Sequence, residues 1–242
     1  MSSSAVPALP VHLADVFDAV SARYADRPMV AFGDRRLTYA DVRREVEALA
    51  AALADLGTVP GARVAVNLPN WPEWLTTALA TARLGATLVP VNPGLGFHEM
   101  KYQLRHAEAT VVVTAETWEG HDFLEVFEEL AGELPDLRVV VTVGAQELWT
   151  DRRTCRYADL LASGARLEPP APAVARDGEA YPLAILYTSG TMGKPKGVRL
   201  SHRALVIHSG QLGRLTATCA PGRMPRSARA AASARDSRRP SP

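Results

Sequence analysis

The sequence predicts an α/β fold in which helices flank largely parallel sheets. Short apolar segments typical of buried strands alternate along the chain with longer segments whose apolar residues recur every three or four positions, as on one face of a helix. The 242 residues are 47% apolar and 22% charged, so the chain can bury a core. Because strands that alternate with helices are joined by right-handed crossovers, we expect a parallel sheet that is covered on both faces.

The first part of the chain contains clear start and stop signals. Gly33-Asp34-Arg35 separates two short segments and predicts a hairpin. Thr38 and Asp41 have the spacing of a capping box, and the helix that follows has an apolar face that includes Val42, Val46, Leu49, Leu53 and Leu56. The predicted elements are a helix over Pro10–Ala25, strands over Met29–Phe32 and Arg36–Thr38, a helix that ends at Gly57, an alternating strand over Arg63–Leu68, and a helix over Pro72–Leu84 between Asn70 as its cap and Gly85 as its stop.

The second part of the chain continues the same alternation. A connector rich in Pro and Ala, Glu168–Ala180, separates the last three elements from the others. Ser201 is predicted to cap the last helix. The predicted strands are Thr87–Val91, Thr110–Thr114, Arg138–Val143, Leu183–Thr188 and Val198–Leu200, and the predicted helices are Phe97–His106, Trp118–Leu134, a turn over Tyr157–Leu161, and His202–Arg214.

Several classes of protein do not fit this sequence. No run approaches the roughly 18 consecutive apolar residues of a membrane helix, so we expect no membrane span. The N-terminus has no basic region before an apolar one, so we expect no secretory signal and a cytoplasmic location. Cys155 and Cys219 cannot by themselves form a disulfide framework or a zinc site, and His98, His106 and His121 lack metal-ligand spacing. We therefore expect no metal site built from these residues.

The charge is divided unevenly along the chain. The net charge is +1, but residues 216–242 contain six Arg and one Asp and no Leu, Ile, Val or aromatic residue. This segment cannot bury an apolar face, so it is predicted to be a disordered basic tail. An arginine-rich arm for nucleic acid is one interpretation, but aromatic residues for base stacking are missing, so no nucleic-acid partner is expected. The other interpretation is that the native reading frame was lost near Leu215.

A polar, glycine-rich loop carries the chemistry that the sequence suggests. Thr188–Gly197 directly follows the apolar strand segment LAILY and contains three glycines, whose backbone N–H groups are open to a ligand. The hydroxyls of Thr188, Ser189 and Thr191 can donate hydrogen bonds to anionic oxygens. Two of the three lysines in the chain, Lys194 and Lys196, also lie here. This combination predicts a polyphosphate-binding loop, although a flexible surface turn would have a similar composition.

The two best-known phosphate-binding patterns do not fit the loop. A Walker loop needs a second glycine five positions after the first, and neither Gly190 nor Gly193 has one. The Gly-x-Gly-x-x-Gly pattern of dinucleotide-binding folds fails because Met192 stands at the second glycine position. The loop therefore belongs to neither class.

The segment YTSGTMGKPKGV, Tyr187–Val198, resembles the phosphate-loop signature of the adenylate-forming (AMP-binding) superfamily. Met192 stands where members usually carry threonine. The upstream segments LTYADVRREVEALAAALADLG, GARVAVNLPNWPEWLTTALATARLGATLVPVNP and EMKYQLRHAEATVVVT resemble the opening of acyl-CoA synthetases. The resemblance covers Val11–Leu215 and fits the acyl-CoA synthetase branch better than the peptide-synthetase branch.

The resemblance implies both a fold and a reaction. Residues 11–215 would form the front part of the large N-terminal domain of such an enzyme. In the family, a carboxylate attacks the α-phosphate of ATP in complex with Mg²⁺, and the acyl-adenylate then passes its acyl group to a thiol such as coenzyme A. The residues that would contact the nucleotide phosphates are Thr188, Ser189, Gly190, Thr191, Met192, Gly193 and Lys196, whereas Lys194 would face solvent.

The family's catalytic lysine has no counterpart after Lys196, where no further lysine occurs. No catalytic residue is therefore assigned, and we expect a chain that lacks the C-terminal domain and is inactive on its own. Two alternatives stay open: a non-catalytic nucleotide-binding or scaffold protein, and the front half of a module that loads a carrier protein. The identity of the acid and the oligomeric state cannot be read from the sequence.

Overall fold

The computed structural model describes residues 12–145, 153–172, 181–188 and 195–217. These residues fall into two units that divide after Leu205, and the second unit contains the C-terminal part of the last helix, from Val206. The helices are α1 (Leu13–Arg23), α2 (Tyr39–Asp55), α3 (Pro72–Arg83), α4 (Phe97–His106), α5 (Phe123–Glu133), α6 (Tyr157–Gly164) and α7 (His202–Ala217). The strands are β1 (Pro28–Phe32), β2 (Arg35–Thr38), β3 (Arg63–Asn67), β4 (Thr87–Pro90), β5 (Val111–Ala115), β6 (Thr117–Trp118), β7 (His121–Asp122), β8 (Val139–Val143), β9 (Thr154–Arg156), β10 (Ala184–Thr188) and β11 (Lys196–Leu200).

A seven-stranded sheet with the order β11-β10-β4-β3-β5-β8-β9 organises the first unit. All neighbouring strands in it are parallel except β10 and β11, which form an antiparallel hairpin at one edge. Parallel neighbours must be joined by crossover connections, and these connections place helices against both faces of the sheet. The predicted α/β fold with a largely parallel sheet is therefore confirmed.

The central strands are buried on both faces. Val64, Ala65, Val66 and Asn67 of β3 are all fully buried, so the alternating burial predicted for this strand is wrong. Parallel strands between two helical layers are covered on both sides, and their sequences become continuously apolar for that reason. The one polar member, Asn67, donates a hydrogen bond from Nδ2 to Oγ1 of Thr114 on β5 at 3.0 Å.

The capping box that the sequence predicts for α2 is confirmed. Thr38 Oγ1 accepts a hydrogen bond from the Asp41 N–H at 3.1 Å, and Asp41 Oδ2 accepts one from the Thr38 N–H at 2.8 Å. Gly57 and Gly85, which follow α2 and α3, have φ values of +86° and +65°, which favour glycine and end the helices as predicted. The prediction that Leu56 lies on the buried face is wrong, because it caps the helix and is 39% exposed.

Two helix starts differ from the predictions. The N-cap of α3 is Trp71 and not Asn70; it supplies no side-chain hydrogen bond, and Pro72 occupies the first turn. The predicted helix over Trp118–Leu134 is wrong in its first part, because β6 and β7 form a hairpin there. α5 begins only at Phe123, where Asp122 Oδ1 accepts hydrogen bonds from the N–H groups of Leu124 and Glu125. A capping acid thus ends the hairpin and starts the helix.

The later elements extend beyond their predicted bounds. β9 was not predicted, and α6 is longer than the predicted turn. α7 ends at Ala217, three residues past its predicted end, and Ser201 Oγ accepts a hydrogen bond from the Ala204 N–H at 3.2 Å, as expected of a cap. Residues 168–172 of the predicted connector contain no helix or strand. Residues 173–180 and most of the predicted tail, from 218 onward, lie outside the described residues.

A nearly buried ion pair joins α1, α3 and the connector. Arg83 is 7% exposed, and its Nη1 donates to both carboxylate oxygens of Asp18 at 3.0 Å. Its Nε donates to the Pro170 carbonyl at 3.0 Å. Three segments that are distant in sequence therefore depend on one guanidinium.

We expect Arg83→Ala to lower the free energy of unfolding by about 2 kcal/mol, because the change removes the hydrogen-bond donor of both the Asp18 carboxylate and the Pro170 carbonyl. Urea unfolding followed by tryptophan fluorescence measures the change. Arg44→Ala is the matched control, since Arg44 pairs with Asp41 in solvent and its side chain is 72% exposed. Equal losses in the two variants would contradict the expectation.

Candidate functional site

The hairpin formed by β10 and β11 positions the loop that the sequence singled out. Thr188, the last residue of β10, is the register partner of Lys196, the first residue of β11. Because β10 runs parallel to β4, Thr188 lies at the carboxyl edge of the sheet, where ligands bind in open α/β folds. The other predicted site residues, Ser189, Gly190, Thr191, Met192 and Gly193, together with Lys194, lie outside the described residues.

Thr188 and Lys196 are both exposed. Register partners on an antiparallel pair have Cβ atoms roughly 5 Å apart, so the hydroxyl and the ammonium can reach the same anionic group. None of the ion pairs among the described residues involves Lys196. The two ends of the loop thus offer one hydrogen-bond donor and one positive charge on neighbouring strands.

Gly197 has a packing role that the sequence analysis did not assign. It is the register partner of Tyr187, and a methyl group at position 197 would lie 2.9 Å from Ile185 Cγ2 and 3.5 Å from Tyr187 Cζ. The absent side chain leaves room for these two side chains of β10 to lie across the hairpin. A side chain at position 197 would therefore force Ile185 to shift.

Two side chains of α4 contact the hairpin, and neither contact could be anticipated from a local sequence pattern. Tyr102 donates a hydrogen bond from its hydroxyl to the Pro195 carbonyl at 3.2 Å, and His106 Nδ1 lies 2.7 Å from the Tyr187 hydroxyl. The partners are 93 and 81 residues apart in sequence. Burial, and to a smaller degree the nearby Tyr102, raises the pKa of Tyr187 to about 12, so its hydroxyl keeps its proton.

His202, one residue after Ser201, does not face a ligand site in the structure. It is 1% exposed, its ring stacks on that of His12 with centroids 3.7 Å apart, and its Nδ1 accepts a hydrogen bond from the Leu13 N–H at 3.3 Å. Burial, followed by the charge of His12, lowers the pKa of His202 to about 4. The imidazole is therefore a neutral packing group that joins the start of α7 to the start of α1.

The carboxyl edge of the sheet also contains a cavity away from the hairpin. A cavity of about 340 Å³ lies where β5 and β8 end, and it is lined by Trp71, Glu116, Thr117, Val143, Gly144 and Ala145. Glu116 is 3% exposed, and a methyl group at position 144 would lie 1.9 Å from its Oε2. Gly144 thus leaves the space that the Glu116 carboxylate occupies.

The described residues contain neither a cluster of metal ligands nor an activated thiol. Within the part of the chain that the structure describes, no three His, Cys, Asp or Glu side chains group together as metal ligands. Burial raises the pKa of the Cys155 thiol to about 11, so it stays protonated at neutral pH. No helix in the described ranges has both the length and the apolar character that crossing a membrane requires.

Comparison with known proteins places this geometry in context. Residues 17–224 match the family described as AMP-binding enzyme. The chain is 35% identical over 189 residues to acetyl-coenzyme A synthetase of Mycolicibacterium smegmatis, an alignment of 75% of this chain and 19% of that synthetase. It is 30% identical over 204 residues to the mitochondrial medium-chain acyl-CoA ligase ACSF2 of Danio rerio, covering 76% of this chain and 32% of that ligase. The chain thus spans about a fifth to a third of the length of these two relatives.

Solved structures share the fold. Acetoacetyl-CoA synthetase from Streptomyces lividans superposes with a TM-score of 0.70 and 32% identity, over 83% of this chain and 32% of that one. The anthranilate CoA ligase AuaEII in complex with anthranoyl-AMP superposes with a TM-score of 0.69 and 26% identity, over 81% of this chain and 36% of that one. The match to the family covers most of the sequence, and the solved structures share the fold. The chain therefore belongs to the AMP-binding enzyme family.

Proposed function

We propose that this chain binds ATP through the β10–β11 hairpin and forms part of an enzyme that activates a carboxylic acid. The observation that carries the proposal is the pairing of Thr188 with Lys196, both exposed at the carboxyl edge of the sheet. An ammonium group and a hydroxyl on adjacent strands suit a phosphate, and the family is one of AMP-binding enzymes. The hairpin would hold the polyphosphate at its loop end.

The proposed roles of the individual groups follow from charge and hydrogen bonding. Lys196 would neutralise the phosphate oxygens, and the hydroxyls of Thr188, Ser189 and Thr191 would donate hydrogen bonds to them. The backbone N–H groups of Gly190, Met192 and Gly193 would complete the cradle, and at Met192 the N–H rather than the side chain would contact the phosphate. Lys194 would face solvent. Mg²⁺ would enter with the nucleotide, and we assign it no protein ligand in the described ranges.

The reaction proposed for the whole enzyme is the formation of an acyl-adenylate. A carboxylate oxygen attacks the α-phosphorus of ATP, a new O–P bond forms, and the bond to the β-phosphate oxygen breaks to release pyrophosphate. Donors that hold the leaving phosphates lower the barrier by stabilising this charge. The relatives named above are CoA synthetases and ligases, which favours coenzyme A over a carrier protein as the acceptor of the acyl group. Residues 11–215 would form only part of the larger N-terminal domain. For these residues by themselves we propose nucleotide binding and not the complete reaction.

Titration calorimetry with ATP tests the proposal. We expect the chain to bind ATP in the presence of Mg²⁺, and Lys196→Ala to weaken binding at least about tenfold, which corresponds to about 1.4 kcal/mol. Arg199→Ala is the matched control because Arg199 is also an exposed cation on β11 but alternates to the opposite face of the strand. Failure of the wild-type chain to bind ATP would contradict the proposal, and so would equal losses in the two variants.

A further inference from the structure

The β10–β11 hairpin is attached to the rest of the sheet mainly at its base. β10 and β4 share one register pair, Ala184 with Leu88, and the adjacent Leu88 N–H donates to the Leu183 carbonyl at 2.9 Å. Thr188 lies four residues farther along β10, a distance of roughly 13 Å at the usual rise of a strand. The pairing with β4 therefore does not fix the end of the hairpin that carries Thr188 and Lys196.

One face of α4 contacts both arms of the hairpin near that end. Tyr102 and His106 are one helical turn apart, so their side chains lie on the same face. Tyr102 donates to the Pro195 carbonyl, next to Lys196, and His106 bonds the hydroxyl of Tyr187, next to Thr188. The Tyr187 ring also meets those of His106 and Tyr102 edge-on, with centroids 5.6 and 6.5 Å away. We call these four residues, Tyr102, His106, Tyr187 and Pro195, the α4 clamp.

α4 is itself firmly held. Met100 and Leu104 are each 1% exposed and anchor its other side in the core. Lys101 forms an ion pair with Glu133 of α5, and Arg105 donates to the Glu133 carbonyl at 3.2 Å. Tyr102 and His106 therefore project from a helix that the core and α5 hold in place. Positioning residues need such a rigid support.

The hydrogen bond between His106 and Tyr187 can run in either direction. Nδ1 accepts from the Tyr187 hydroxyl when the ring proton is on Nε2, and it donates to that hydroxyl when the proton is on Nδ1. An apolar side chain at position 106 loses the bond in both cases. Asparagine can keep it, since its amide group can accept or donate at roughly the same place.

We propose that Tyr102 and His106 are positioning residues that hold the two arms of the hairpin so that Thr188 and Lys196 meet the phosphates of the nucleotide together. The inference rests on the proposed function, because ATP is the ligand whose affinity it governs. Neither residue contacts the nucleotide itself. Tyr102 holds the backbone next to Lys196, and His106 holds the side chain next to Thr188.

The test combines ATP affinity with the behaviour of the chain without nucleotide. We expect Tyr102→Phe and His106→Leu each to weaken ATP binding about fivefold and the double variant more than tenfold, while the thermal midpoint without nucleotide moves by no more than about 2 °C. His106→Asn should restore most of the affinity. Tyr187→Phe should weaken binding but add little to His106→Leu, because both remove the same hydrogen bond. His98→Leu, an exposed histidine on α4 that contacts Phe97, is the control and should leave affinity unchanged.

Amide hydrogen exchange of β10 and β11 without nucleotide separates the two proposals. We expect exchange in these strands to be faster in the Tyr102→Phe/His106→Leu double variant than in the wild type, while exchange in β3 stays unchanged. If the wild-type chain failed to bind ATP, the proposed function would fall, and the exchange result would still decide whether the α4 clamp fixes the hairpin. Wild-type ATP affinity in both single variants, or loss of affinity that asparagine does not restore, overturns the inference.

Discussion

Replacing Gly164 with alanine is expected to lower the free energy of unfolding by about 4 kcal/mol. A methyl group there would lie 1.9 Å from the Ala48 carbonyl oxygen and 2.8 Å from its carbon. Both atoms belong to the main chain of α2, so no side-chain rotation relieves the overlap. α6 would have to move away from α2 and lose the packing between them, which places the cost above the usual 1–3 kcal/mol of an overpacked core.

Gly132→Ala provides the matched control. Gly132 is also a helical glycine, but it is exposed on α5, and a methyl group there would meet nothing within 4 Å. The control should raise stability by roughly 0.5–1 kcal/mol, because alanine loses less backbone entropy in a helix. Urea unfolding of the three proteins measures both effects. Similar stability changes in the two variants would show that α2 and α6 do not pack closely at Gly164.

Acidification is expected to destabilise the fold through the stacked pair of His12 and His202. Both rings are buried, and each Nδ1 accepts a backbone hydrogen bond, from the Ala14 N–H at 3.4 Å and the Leu13 N–H at 3.3 Å respectively. Protonation of either ring at Nδ1 would place its new N–H group against the backbone N–H that it now accepts from. It would also place a positive charge against the stacked imidazole. Burial lowers the pKa of His12, partly opposed by Asp15, and burial together with His12 lowers that of His202 to about 4.

The direction of the pH effect follows from these pKa values. An unfolded histidine has a pKa near 6.5, so between pH 6.5 and about 4 the unfolded chain binds protons that the folded chain does not. The stabilisation is complete above about pH 6.5 and is lost as the pH falls, by about 3 kcal/mol for His202 over the whole range and by about 2 kcal/mol between pH 7 and 5. Urea unfolding at a series of pH values measures it.

His202→Phe should flatten this profile between pH 7 and 5, since phenylalanine keeps the stacking but does not titrate. His98→Phe changes an exposed histidine and should leave the slope as in the wild type. Parallel profiles for the wild type and His202→Phe would refute the assignment. Most carboxylates stay ionised above pH 5. The histidine pair therefore dominates the difference in slope between the wild type and His202→Phe in this range.

Features encoded by neighbouring residues were the ones that sequence reasoning predicted well. The capping box of Thr38 and Asp41 depends on residues three positions apart, and α4 has the bounds that its periodicity predicts. The predicted start of α5 is wrong because the hairpin of β6 and β7 occupies the first part of the predicted range, and the signal for the true start, Asp122 as a cap before Phe123, is a single residue. Periodicity reports which residues are apolar and does not report where a short hairpin interrupts them.

Contacts between distant segments could not be predicted. His202 and Leu13 are 189 residues apart, and the α4 clamp joins residues separated by 81 and 93 positions. The candidate site could be predicted because its hydroxyls, glycines and lysines all lie within residues 188–197. Of its seven predicted residues, Thr188 and Lys196 have described positions at the two ends of the loop, and the predicted phosphate contacts of all seven await the calorimetric test.

The buried hydrogen bond between Asn67 and Thr114 bears on how the chain selects one strand alignment from several. β3 and β5 pair through consecutive apolar residues, Val64–Val66 against Val111–Val113, so sliding one strand past the other by a residue would still juxtapose apolar side chains. Sliding β5 against β3 would separate the Asn67 amide from the Thr114 hydroxyl and leave the buried amide without that acceptor, a loss that costs about 1–3 kcal/mol. One polar contact thus discriminates among alignments that hydrophobicity alone leaves nearly equivalent.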